Sequence, residues 1–558
     1  MSLLRKALVA ALGLAALAAL WVWWSRPSRV DMAAYVPADA LVYLEADSLP
    51  EVAEALTSTA AWRAAQADGG GKNWGWAGRV GRFAALTGVG SGEAVVLARA
   101  QVAVVVLGFK AAEESETAIT FAPRVAVVAE THTSDWRARA AVEGLVGDFA
   151  GKAFGEAQVE RKELDGVPAV VWAEAGGGRR RIVLAVRDGV AVVANEEAAA
   201  RACLDVRRGA RQSLAGGAQL EEMRERLDAR GGVAFGFIPQ GRAAAVVEAL
   251  APVLIGGLRD EPGAQSLLAT LLPKLTDQLV QGVGWSARAA GGRIEDRYLL
   301  ALPEGVNERL RAPLASADSP AHAAVGLLPH DTHQTTVYHF RNPEFALRAV
   351  KAVLLSHVDV ASAAIISVVL QSSLKSYGVE EPQEFLRGVG SEVVTARLGE
   401  ADERKVLIAE VVDREALRAH VLRRLGAASP EQFAGAELYL PTDPEEAAAA
   451  FAGNHLILGP AAEVRRCLLA RQEGRTLKEA PAYKALAGGA DTLTQSLSDD
   501  RESVSAVVAA LSGRDAPPPA PAESDSVTET RLHEVGIERK TVSAFGQFGE
   551  LIARLRKR

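Results

Sequence analysis

Val36-Pro37-Ala38-Asp39, then Val42-Tyr43, then Pro50-Glu51-Val52-Ala53 has a counterpart later in the chain: Leu328-Pro329-His330-Asp331, then Val337-Tyr338, then Pro343-Glu344-Phe345-Ala346. Each block holds an apolar-Pro turn, a strand-like pair and a proline at the first turn of a helix, where its missing N–H costs nothing. Repetition governs how everything else is read, because it predicts one supersecondary plan used twice. Further pairs follow in order: Gly88-Val89-Gly90-Ser91 with Gly388-Val389-Gly390-Ser391, Ala129-Glu130 with Ala409-Glu410, Cys203-Leu204 with Cys467-Leu468, and Ile294-Glu295 with Ile537-Glu538. The spacing between partners runs from 292–295 through 300, 280 and 264 to 243, which predicts a second copy shorter by about 57 residues.

Outward from the first block, Ala40 to Ala46 reads as a strand and Ser48 or Asp47 as the cap of the next helix. Val-rich runs predict strands at Ala94–Leu97, Val102–Phe109 and Val125–Glu130, with a helix over Ser134–Phe149. Strands are expected near Val159–Glu163, Ala169–Glu174, Arg181–Arg187 and Val190–Ala194, the last two joined by the hairpin signal Asp188-Gly189. A helix carrying Cys203, a strand over Val233–Ile238, a helix ending near Leu254, and strands Gly282–Ala289 and Arg293–Leu302 close the copy. Val353 to Leu370 reads as a buried amphipathic helix. Asp515 to Thr530, with Pro517-Pro518-Pro519, Pro521 and many acidic or hydroxyl residues, reads as a disordered insertion in the second copy.

Strands outnumber helices and tight turns join neighbours, which predicts antiparallel pairing. The expected fold class is α+β: two related modules of largely antiparallel sheet with helices packed on one face, after an N-terminal transmembrane helix. The expected divisions are an anchor over residues 1–30, a first module over 31–315, and a shortened second module over 322–558 containing the insertion at 515–530.

At 558 residues the chain exceeds one core. Hydrophobic residues at 49% and charged residues at 23% are globular values. Net charge is −7, and the basic tail Arg554–Arg558 is short, which argues against a nucleic-acid partner. Arg5 and Lys6 precede an uncharged run from Ala7 to Trp24, roughly 27 Å of helix at 1.5 Å per residue, enough to span a bilayer core. Trp21, Trp23 and Trp24 close it as an interfacial belt, and Arg26 and Arg29 follow. The run continues past Ala16-Leu17-Ala18, which favours an uncleaved anchor over a signal peptide. The expectation is a single-pass protein of the bacterial inner membrane with its bulk in the periplasm.

The anchor followed by Val36-Pro37-Ala38-Asp39-x-x-Val42-Tyr43-Leu44-Glu45 resembles the bacterial family labelled domain of unknown function 3352. That resemblance implies an extracytoplasmic α+β envelope protein with no assigned activity, and it supplies no functional residues.

Candidate chemistry is sparse. His322, His330, His333 and His339 are four of nine histidines, and with Asp331 they offer donors for a transition metal. The first copy has Ala38 and Leu41 at the positions aligned with His330 and His333, which favours a solvated turn. Asp39 and Asp331 each follow a proline by two residues and read as turn residues bonding their own backbone. Cys203 and Cys467, the only cysteines, occupy matching helical positions and read as small buried hydrophobes. Gly69-Gly70-Gly71-Lys72 lacks the Gly and Ser/Thr of a phosphate loop; Trp74 and Trp76 beside it suit either a contact surface or the core. The tail Phe548–Arg558 reads as a docked helix or a lipid-touching one. No catalytic, cofactor or metal residue is assigned. The expected function is membrane-anchored binding or scaffolding of another envelope protein or lipid. The alternatives are a metal-assisted hydrolase using His330, Asp331 and His333, and a hydrophobic-ligand site between the modules.

Overall fold

The computed structural model describes residues 29–65, 91–115, 118–178, 180–255, 262–316, 323–372, 374–400, 404–425, 429–443, 446–484, 491–512, 521 and 524–556. The apolar run Ala7–Trp24, the Gly69–Gly78 loop, His322 and the prolines at 517–519 lie outside them. Among the described residues no helix is long and apolar enough to cross a membrane.

Among the described residues twenty strands join one sheet. Those of the first half are β1 (Val42–Ala46), β2 (Gln101–Ser115), β3 (Ala118–Glu130), β4 (Ala157–Leu164), β5 (Val167–Glu174), β6 (Arg181–Arg187), β7 (Val190–Ala194), β8 (Ala234–Ile238), β9 (Gly282–Ala290) and β10 (Arg293–Ala301). The second half supplies β11 (Gln334–His339), β12 (Val389–Arg397), β13 (Lys405–Val411), β14 (Glu431–Phe433), β15 (Ala436–Tyr439), β16 (Ala448–Ala452), β17 (His455–Gly459), β18 (Thr492–Asp499), β19 (Asp525–His533) and β20 (Gly536–Ser543). Every pairing is antiparallel, and the spatial order is β4-β5-β6-β7-β3-β2-β1-β8-β9-β10, then β20-β19-β18-β11-β12-β13-β17-β16-β15-β14. Read from either edge inward, the same order of strands is met, each strand β1–β10 answered by the strand ten numbers later. The halves meet where β10 pairs β20. Arg297 and Lys540, each the fifth residue of its strand, face one another there. A local twofold axis imposes that register on an antiparallel pair.

Helices cover both faces of the sheet rather than one. Tyr43, Val105, Val128 and Val192 pack with Cys203 of the helix Glu197–Arg207, while Val170, Trp172, Leu184 and Ala191 face the helix Asp135–Phe154 on the other side. In the second half Val337, Val394 and Ile408 join Cys467 of the helix Ala461–Glu473, and Val393, Leu407 and Ala409 face the helix Arg414–Leu425. The adjacent residues Val170 and Val171 are both buried, so β5 is a two-sided core strand and its near-continuous apolar run is explained.

Several expectations change. Ala94–Leu97 lies in a helix, Ser91–Leu97, despite its valines. Val389–Ser391 opens β12, whereas Ser91 opens that helix, so the Gly-Val-Gly-Ser match does not join equivalent places and the 57-residue figure falls with it. The second half remains the shorter, with 212 residues from Pro329 to Lys540 against 261 from Pro37 to Arg297. Among the described residues two helices, Ala243–Ile255 and Pro262–Leu279, separate β8 from β9, and one, Arg501–Ser512, separates β18 from β19. Val353–Leu370 is split between the helices Pro343–Leu355 and Val360–Ser372; Ser356 Oγ bonds Val353 O and Asp359 caps Ser362 N at 2.9 Å. The second of these exposes Val360 and Val368. The expectation of disorder over Asp515–Thr530 fails at Asp525–Thr530, which lies within β19 between two partner strands.

At the seam the halves exchange helices. Glu304–Arg311, which follows β10, packs through Val306 and Leu310 against Ala346 and Val353 of the second half. Asn307 Nδ2 donates to His533 O at 3.0 Å and Glu534 O at 2.6 Å, fixing the β19–β20 turn. The helix Gly546–Arg556, which follows β20, crosses the other way. Its Phe548 ring lies 5.5 Å from Trp285, and Gln547 N donates to Asp296 Oδ2 at 3.0 Å. Gly546 is required at this crossing, because its φ is +61° and a Cβ there would meet Ile294 Cγ2 at 2.5 Å.

Candidate functional site

The repeated Pro turns are built first by their own backbone, with Ala40 N bonding Pro37 O at 3.0 Å and Thr332 N bonding Pro329 O at 3.1 Å. The segment after each cysteine helix then clamps its turn with the same pattern. Ala38 N donates to Gln212 O (3.0 Å) and Leu214 N to Val36 O (2.8 Å); His330 N donates to Arg475 O (3.2 Å) and Leu477 N to Leu328 O (2.8 Å). Asp39 pairs with Arg211 and Asp331 with Arg466 (2.7 Å), so both carboxylates bind across the clamp rather than to their own turn. The motif is therefore a fastening between the chain's entry and its cysteine helix.

The histidines scatter around that fastening. His330 is half exposed and 4.0 Å from Asp331, whose carboxylate Arg466 already engages. His333 is tied by backbone to Arg397 O and Asp499 N, and His339 is buried in β11 opposite Glu392. Among the described residues no three His, Cys, Asp or Glu side chains gather as a metal would need. Burial pushes the Cys203 and Cys467 thiols up to about 12, which leaves them unreactive at neutral pH.

The feature that the geometry brings together lies elsewhere, at the seam. An open groove of about 580 Å³ runs along the face of β11, β18, β19, β20 and β10 that carries the exchanged helices. Its floor is a ladder of hydroxyls. Ser496, Thr528 and Thr541 stand side by side on successive strands, with Thr528 Oγ1 3.0 Å from Thr541 Oγ1, and Thr336, just outside the lining, extends the row with its Oγ1 2.9 Å from Ser496 Oγ. The neighbouring row is Gln334, Ser498 and Ser526. Tyr298 of β10 and Arg539 of β20, register partners, form the far end. Gln547 and Glu550 of the helix Gly546–Arg556 make one wall, and Val283, Leu300 and Ile537 supply its apolar part.

Beneath that wall Asp296 is 1% exposed. Burial raises its carboxyl to about 6, against the pull of Trp285 Nε1 at 2.9 Å and of the Gln547 amide. Burial also raises the Tyr298 phenol, and the Asp296 charge adds to it, so Tyr298 stays a neutral donor.

The opposite face of the seam carries charge. Glu295 sits between Arg288 (2.7 Å), Arg297 (2.7 Å) and Lys540 (3.2 Å). Burial works to raise its carboxyl, but the bonds from Arg297 and Lys540 hold it below the usual carboxylate range. Glu529, Glu538 and Arg531 lie beside them and Arg288 also pairs with Asp228, so four acids face four bases there.

No groove residue was marked by the sequence reading. The alternation Thr494-Gln495-Ser496-Leu497-Ser498 was the available signal: every second residue a hydroxyl on one face, with buried Gln495 and Leu497 on the other. No protein-family model, curated protein or solved structure matches the chain.

Proposed function

We propose that this chain is a membrane-anchored binding protein of the bacterial envelope, without catalytic activity of its own, made of two related α+β modules fused edge to edge. The observation that carries this is the seam. The inward order of strands is the same from both edges, and the register at Arg297–Lys540 is what a duplicated unit pairing with its own copy would have. The composite groove exists only because the two halves are joined, and a groove of that size with convergent polar groups is the default place for a ligand. The apolar run from Ala7 to Trp24 supports the anchor, and the resemblance carried by Val36 to Glu45 implies the same compartment.

The two buried cysteines make the location testable. The Arg539→Cys chain adds a thiol at an exposed groove position to a background in which both native thiols are shielded. In intact bacteria a membrane-impermeant maleimide is expected to label this variant and not the parent, and removal of residues 1–30 is expected to release the protein from the membrane pellet. Labelling only after lysis overturns the extracytoplasmic reading. Membrane retention without residues 1–30 overturns the anchor.

A further inference from the structure

We propose that the seam groove binds a neutral, hydroxyl-rich ligand, a glycan strand, laid across β11, β18, β19 and β20 toward Tyr298. The proposal deepens the binding reading above and rests on it.

Four ligand classes can be compared at this floor. A peptide adding itself as a strand needs a free sheet edge. Here β18 is paired by β11 and β19, β19 by β18 and β20, and β20 by β19 and β10, so the floor offers side chains and no backbone. A nucleic acid or other polyanion needs a surplus of cations. The groove has Arg539 against Asp500 and Glu550, which is no such surplus. A lipid chain needs an apolar lining, whereas the lining here is polar apart from Val283, Leu299, Leu300 and Ile537.

A saccharide meets what is present. A serine or threonine hydroxyl both donates and accepts, so a ladder of them matches a ligand whose own groups do the same. Even the hydroxyls that bond one another, Thr336 with Ser496 and Thr528 with Thr541, keep further acceptor capacity. Ser498 and Ser526, register partners in the second row, supply two more. Adjacent strands are about 4.8 Å apart, a step close to one hexopyranose unit, so successive sugars would meet successive strands. At the end of the ladder Tyr298 offers an aromatic body with a polar tip, the pairing that suits the apolar face and rim hydroxyls of a sugar ring. Arg539, Gln547 and Glu550 supply longer donors and acceptors along the rim.

The test uses the full chain in a detergent without a sugar headgroup, titrated calorimetrically with tetra-N-acetylchitotetraose and with cellotetraose, both neutral. At least one is expected to bind with one site per chain. Thr541→Val, which keeps shape and removes a hydroxyl, and Tyr298→Leu are each expected to weaken it about tenfold, the worth of one good hydrogen bond or aromatic contact. Arg531→Ala, on the opposite face, is expected to change nothing. Each variant is to be shown to melt as the parent does, and a variant that does not is replaced by Ser498→Ala, which faces the same groove. Failure of both tetrasaccharides to bind the parent at millimolar concentration overturns the inference, as does binding that survives Thr541→Val (or its replacement) and Tyr298→Leu unchanged. Neither result touches the maleimide experiment, which decides the location reading by itself.

Discussion

Two buried ionisable sites set the residue-scale behaviour. Arg224 reaches Glu45 (2.9 Å), Asp31 (2.9 Å) and Glu221 (2.8 Å), and Tyr43 Oη bonds Glu45 at 2.5 Å. Burial raises Glu45, and the Arg224 charge opposes it. Removing the guanidinium would strand Glu45 in the interior, so Arg224→Met is expected to cost about 3–5 kcal/mol in urea unfolding. Arg224→Lys would recover part of this, because an ammonium cannot make the same forked contacts. Asp296 acts on pH instead. Its folded value of about 6 lies above the ordinary carboxyl value near 3.9, so the folded state holds this proton more tightly than the unfolded chain does. Its contribution therefore favours folding at low pH, declines as pH rises from about 4 to 6, and is flat above that, a change of roughly 3 kcal/mol. Asp296→Asn keeps one of the two acceptors that Trp285 and Gln547 use, and is expected to lower stability at every pH while removing this part of the slope in urea midpoints taken from pH 4 to 7. An unchanged slope would show that the carboxyl titrates normally.

At the scale of elements, the exchanged helices depend on close approach. Gly546→Ala places a methyl at positive φ against Ile294 and is expected to cost on the order of 1–3 kcal/mol. Amide exchange in Gly546–Arg556 should accelerate well before that of β10; equal acceleration in both would mean the helix and sheet unfold together. Most elements were legible from local pattern. The Asp188-Gly189 turn has both residues at positive φ, as its hairpin signal requires, and Ser48 caps its helix by accepting from Glu51 N at 3.2 Å. Local pattern misled where it was weakest. Tyr43 and Tyr338, matched by sequence, point to opposite faces: Tyr43 packs with Cys203, while Tyr338 packs on the side of Phe385 and Val393. A shift of one residue reverses every side chain in a strand, and pairing alone decides it. The hydroxyls of Asp525–Thr530 looked like disorder because composition cannot show that two neighbouring strands will satisfy that backbone.

For the whole molecule the decisive contact is β10 with β20. Each half has core clusters of its own, and the ladder between them is central, so a proline there removes a bond that no edge can supply. Lys540→Pro is expected to divide one calorimetric unfolding transition into two. A single transition at lower temperature would show that the halves do not fold apart. The sequence by itself determined the antiparallel α+β character, most strand positions, the matching cysteines and the repeated turn, because these follow from side-chain periodicity and turn chemistry within a few residues. Only the tertiary structure decided that helices cover both faces, that the repeated aspartates hold arginines, and that hydroxyls from β18, β19 and β20, with Gln334 of β11, line one groove. Those facts depend on which strand lies beside which, and residues as far apart as Thr336 and Ser496 become neighbours only through pairings that no local pattern encodes.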